Sequence, residues 1–133
     1  MNSLFILVII AVVVDASLDA KALNVAQDLE HDINEQIIKG NADGVGSFFA
    51  AEFKFKECDG KVLDHDEIVK LVLQRQNALP DLGFVEAKDV SDTEIYYVLE
   101  ETFEDKSVLT TKNTVKNVDG KWTVFSGEVL KCK

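Results

Sequence analysis

Cysteine is scarce in this chain, with only Cys58 and Cys132 among 133 residues. That excludes the small secreted scaffolds in which a disulfide framework stands in for a core. Histidine is equally scarce, and His31 and His65 stand in no ligand spacing with each other or with the thiols, so no metal site is expected. Proline occurs once, at Pro80, and there is no repeat, low-complexity tract or linker-like stretch to divide the chain. No Asn-x-Ser/Thr triplet occurs, and N-glycosylation is not expected. Positive charge is also in short supply, 14 basic residues against 24 acidic, for a net charge of −10. Nucleic acids and anionic membranes are held through Lys and Arg, so neither is expected as a partner. The acidity itself speaks for solubility and little else.

The one long hydrophobic run is too short to span a bilayer. Leu4 to Val14 carries no charge, but a membrane helix needs about 20 apolar residues. The run fits the apolar core of a secretory signal, and Val14-Asp15-Ala16 offers a peptidase site. No Lys or Arg precedes the core, so only the amino terminus would supply the positive end. The expectation is a signal peptide over 1–16, cleaved after Ala16, and a single mature domain over 17–133 that is secreted, extracellular and not inserted in a membrane. In an oxidising compartment, two widely spaced cysteines read as one disulfide, Cys58 to Cys132.

The mature chain changes period along its length. Ala22, Val25, Ala26, Leu29, Ile33 and Ile37 recur at three- and four-residue steps, predicting an amphipathic helix from about Leu18 to Lys39 that Gly40 ends. Asn41 is placed to cap a second helix running to about Ala50, with Val45, Phe48 and Phe49 for the core. Alternation over Phe53–Cys58, the Asp59-Gly60 turn and Lys61-Val62-Leu63 predict a hairpin. Asp64 and Glu67 form a capping box for a third helix carrying Ile68, Leu71, Val72 and Arg75, which Pro80 should stop. Strand-like runs follow at Phe84–Val90, Glu94–Phe103, Val108–Val118 and Trp122–Lys131, the last two joined at Asp119-Gly120.

Gly40-Asn41-Ala42-Asp43, Phe48-Phe49 followed by Phe53-Lys54-Phe55-Lys56, the Asp59-Gly60 turn and Val118-Asp119-Gly120-Lys121-Trp122 together resemble the nuclear transport factor 2-like superfamily. The likeness covers the mature chain and is closest to small secreted single-domain members of the nematode type. It implies an α+β, cystatin-like fold: a bent, mostly antiparallel sheet wrapped over about three helices, forming a cone with a pocket. It also implies that the strands ending at Cys58 and Cys132 lie side by side and parallel. Strict alternation opposes the bridge, since it groups Cys58 with Lys54 and Lys56 but Cys132 with Trp122, Val124 and Leu130. One strand must therefore bend or shift register for the sulfurs to meet.

The superfamily hosts isomerases, dehydratases, transport adaptors and oligomerisation modules, so the fold alone selects no activity. Its enzymes project an acid or His and a Tyr into the pocket. Glu101 is the residue that breaks a pattern here, because it shares a face with Ile95, Tyr97, Leu99 and Phe103. Burial would raise its pKa towards that of a general base, with Tyr97 as an oxyanion donor. The alternative is a bulge that turns Glu101 outward, or exposure near the strand end. His31 reads as a solvated residue of the first helix, and His65 as a solvated residue of a helix start, charged by its neighbours Asp64 and Asp66. Phe48, Phe49, Phe53, Phe55, Phe84, Trp122 and Phe125 read as core rather than pocket lining. No cofactor is implied. The preferred reading is a secreted non-catalytic module that holds a small apolar ligand or a protein partner in the pocket or on the sheet face. The alternatives are an isomerase- or dehydratase-type enzyme using Glu101 and Tyr97, and a homodimerisation domain.

Overall fold

The computed structural model describes residues 17–132; the expected signal peptide and its cleavage site lie outside the described residues. Helix α1 spans Ala20–Ile38 and buries Ala22, Ala26, Leu29, Ile33 and Ile37, five of the six positions of its apolar stripe. Gly40 follows with φ +64°, a left-handed turn in which glycine is unstrained. Asn41 accepts the Gly44 amide and caps α2, Ala42–Gly46. This helix is shorter than its sequence suggests. The chain is already in strand β1, Phe49–Lys56, where a longer helix was expected. The Phe48 carbonyl accepts the Val124 amide at 2.8 Å and Phe49 registers with Val124, so pairing to the last strand overrides helix propensity there.

The hairpin forms as expected, with β2, Val62–Leu63, antiparallel to β1. Helix α3, His65–Leu73, opens on the full Asp64/Glu67 capping box. It ends well before Pro80: the amides of Gln74, Arg75, Gln76 and Ala78 bond carbonyls three residues back, so the chain tightens into turns. A meander completes the domain: β3, Asp81–Ser91; β4, Glu94–Thr102; β5, Val108–Val118; and β6, Lys121–Leu130.

The six strands form one sheet in the order β2-β1-β6-β5-β4-β3, antiparallel except for β1 beside β6. Its register shifts at Val85 in β3 and Phe125 in β6 mark bulges, the devices that bend a sheet around its helices. The core lies between the helices and the concave face, where Ala87, Ile95, Tyr97, Leu99, Val115 and Val124 meet the stripe of α1. Residues 17–19 cover the outer edge of β3: the Ala87 amide donates to the Ser17 carbonyl and the Asp19 amide to the Ala87 carbonyl. A covered edge is protected from pairing with another chain. No helix among the described residues is long and apolar enough to cross a membrane.

Cys58 and Cys132 are joined, with Cα atoms 5.5 Å apart. The bulge at Phe125 removes the conflict that alternation posed. Past it, Gly127 and Val129 take the inward positions, while Ser126 and Glu128 register with the outward Lys54 and Lys56. Both cysteines lie past the ends of their strands, and after Leu130 the chain turns at Lys131, with φ +55°, to bring Cys132 against Cys58. The same bulge corrects one core assignment, for Phe125 lies outside the core cluster with Lys116 over its ring.

Candidate functional site

A cavity of about 160 Å³ lies between the helices and the concave face of the sheet. Its apolar wall comes from Ile33 and Ile37 of α1, Ile68 and Val72 of α3, and Phe49, Phe53 and Phe55 of β1. Phe49 and Phe53 meet edge to face, with ring centroids 5.0 Å apart. The aromatic residues of β1 are thus both core and pocket lining. Gly127 faces inward at the base of this wall, where a β-carbon would stand 2.8 Å from the Phe55 ring and 3.1 Å from Asn113 Oδ1. Glycine is needed there because the Phe55 ring packs directly against the backbone.

Polar groups interrupt this wall. The expected pair, Tyr97 and Glu101, both line the cavity. The pairs of β4 with β5 run unbroken from Glu94 to Thr102, so no bulge turns Glu101 outward; it is 6% exposed. The two side chains do not serve each other, however. The Tyr97 hydroxyl donates to Glu30 Oε2 in a short hydrogen bond. Glu101 accepts from Arg75 Nη1 at 2.6 Å, and the Arg75 guanidinium stacks 5.1 Å from the Phe103 ring centroid. Burial pushes both carboxyls above the usual range. For Glu101 the charge and hydrogen bond of Arg75 oppose the rise. For Glu30 burial outweighs the lowering effect of the Tyr97 hydrogen bond, the charge of Glu101 adds to the rise, and the pKa reaches about 7. Tyr97 is pushed well above its ordinary value by burial and by the adjacent acid, so it remains a phenol.

Sequence reasoning passed over Glu30 and Arg75. Both left a signal, since Glu30 lies four residues after Ala26 and three before Ile33, at the border of the apolar stripe, and Arg75 lies three after Val72. The two histidines stand outside the cavity. His31 is exposed and pairs with Glu35 at 3.0 Å. His65 is less solvated than its position suggested: Nε2 meets the Gly46 carbonyl at 2.8 Å and Nδ1 meets Asp66 at 3.0 Å, tying α3 to α2. The Asp66 bond, and then that to Gly46, raise its pKa.

The family profile of the NTF2-like domain matches residues 23–133, and the chain belongs to this family. Sequence comparison with curated proteins finds none that matches. The fold is similar to that of an NTF-2 like protein of unknown function from Silicibacter pomeroyi, with a TM-score of 0.67, 13% identity, and 84% of this chain and 96% of that one covered. A second NTF-2 like protein of unknown function, from Shewanella oneidensis, is similar at a TM-score of 0.64 and 16% identity over 80% of this chain and 97% of that one. A domain of unknown function with a cystatin-like fold from Nostoc punctiforme has a TM-score of 0.65 and 10% identity over 86% and 80% of the two chains.

Proposed function

We propose that this protein is an exported, non-catalytic binding module that holds a small, largely apolar ligand in the cavity of its cone. The observation that carries the reading is the makeup of the cavity: a wall of aliphatic and aromatic side chains interrupted by polar groups, the composition of a small-molecule site. The volume of about 160 Å³ is close to that of a dry cavity of about 150 Å³ that accepts benzene. The ligand is therefore a single ring or a branched chain of similar bulk. Export is supported by the apolar run Leu4–Val14 and by the exposed Cys58–Cys132 bridge. Native mass spectrometry of the protein collected from its own medium tests the reading and reports the oligomeric state at the same time. A retained small molecule is expected. A bare polypeptide mass, with no thermal shift across a library of one-ring compounds, would sink it.

One observation favours an isomerase- or dehydratase-type enzyme as a second reading. Glu30 titrates near neutrality and touches a protonated Tyr97, as a general acid–base pair requires. In this reading Glu30 takes the place that the sequence suggested for Glu101. Turnover of a ketone or hydroxy-ketone substrate, lost in Glu30→Gln, is its test.

A further inference from the structure

The cavity lining holds more negative than positive side chains. The titratable and charged groups around the Glu30 carboxyl are Tyr97 and Glu101 from β4 and Arg75 from the turn after α3. What β1 and β5 turn towards the cavity is neutral: Phe49, Phe53, Phe55, Leu109, Thr111 and Asn113. Glu57, beyond the end of β1, is the remaining charged lining residue, and it is a third acid. Arg75 is the single cation of the group, and its short bond goes to Glu101. Among the described residues the Glu30 carboxyl has one hydrogen-bond partner, the Tyr97 hydroxyl on Oε2, and feels the Arg75 charge without a bond to it. An ionised carboxylate in such surroundings is costly unless a positive partner meets it.

We propose that the ligand is a small primary amine bearing one hydrophobic ring, its ammonium group seated against Glu30 and its ring among Phe49, Phe53 and Phe55. This rests on the binding-module reading and specifies its ligand. Two features converge on it. The lining acids outnumber the single cation Arg75, which is bonded to Glu101, so an ammonium supplies the positive charge that Glu30 lacks as a bonded partner and donates to its carboxylate in a charge-assisted hydrogen bond. The Phe49, Phe53 and Phe55 rings offer an apolar seat for the ligand's own ring.

The proton balance makes the proposal testable. In the empty cavity Glu30 carries its proton below about pH 7 and loses it above. The amine arrives as an ammonium ion; on binding, Glu30 gives its proton to solvent and the complex holds an ion pair. A neutral ligand of the same shape releases no proton, and it accepts a hydrogen bond best from the protonated acid. The two ligand classes therefore respond to pH with opposite signs.

Benzylamine and benzyl alcohol, titrated calorimetrically into the disulfide-bonded protein at pH 6 and pH 8 in buffers of different ionisation heat, separate the cases. Benzylamine affinity should rise about tenfold between the two pH values, following the ionised fraction of an acid with its midpoint near 7. At pH 6 about one proton should be released per amine bound, and benzyl alcohol should bind more weakly with no such rise. Glu30→Gln, once circular dichroism shows it folded, should lose the pH dependence of amine binding and of alcohol binding alike, and should lose amine affinity at pH 8 by about tenfold. Should the variant fail to fold, the proton count of the unaltered protein decides. Alcohol binding as tight as amine binding at pH 8, or amine affinity that falls as pH rises, overturns the amine and leaves the cavity reading standing. Failure of both ligands at millimolar concentration overturns both.

Discussion

The two halves of α1 meet the same sheet in different ways. In the first half Ala22 and Ala26 are fully buried in a core that also buries Ala87, Ile95 and Val115 completely. Small side chains on the helix allow its backbone to approach the strands, and the space fills. In the second half the helix presents Glu30, Ile33, Asn34 and Ile37 to the cavity. Larger side chains hold helix and sheet apart there, and the space between them is not filled. One end of the domain is thus packed for stability, and the other is left open, with polar groups that a purely structural core would not contain.

Substitutions can break or sharpen this contrast. The largest effect should come from the bridge that pins the open end: replacing both Cys58 and Cys132 by Ser should cost up to about 4 kcal/mol in the chain-entropy account, read as a fall in the denaturation midpoint. At the packed end, Ile95→Ala should cost about 3 kcal/mol because the side chain is fully buried. Leu109→Ala, at the partly exposed cavity wall, should cost only about 1 kcal/mol. Equal costs in chemical denaturation would erase the distinction between the two ends.

The acid of the open end should show itself in the pH dependence of stability. Between pH 4.5, the ordinary value, and about 7, native Glu30 keeps a proton that the unfolded chain has lost. The native state then binds more protons, so unfolding free energy falls as pH rises through that window and levels off above it. Glu30→Gln should remove most of this fall and be more stable than the parent at pH 8, by on the order of 2 to 3 kcal/mol. An unchanged slope would mean that Glu30 is solvated. The smallest effect is expected at His65, whose folded pKa is raised. Its contribution is complete below the unfolded value and is lost as pH rises through the folded one. His65→Ala should therefore cost about 1 kcal/mol at pH 5.5 and less at pH 9.

The stripe of α1, the Asp64 capping box, the Asp59-Gly60 and Asp119-Gly120 turns and the alternation of β4 were all legible in the chain, because each depends on neighbours within a few positions. Even the inward aim of Glu101 followed from alternation, since nothing interrupts the β4–β5 ladder. The length of α2 was misread for the opposite reason: Phe49 becomes a strand residue only because Val124, far along the chain, pairs with it. The parity of β6 was misread likewise, since a bulge leaves no fixed residue signature and Phe125 looks like any core aromatic.

By itself the sequence determined the order of helices and strands, the apolar stripe of α1 and the inward face of β4, and that two thiols were available to form one bridge. Local sterics, capping and periodicity act between near neighbours, so one dimension is enough to state them. The tertiary structure decided which carboxyl meets which partner. Tyr97 turns to Glu30 and Arg75 reaches Glu101, across 67 and 26 residues of chain. The pKa of an acid is set by the dielectric and the charges around it in space. Glu30 is an ordinary glutamate at the margin of a helix stripe until the sheet closes over it, and that closure takes its carboxyl from 4.5 to about 7.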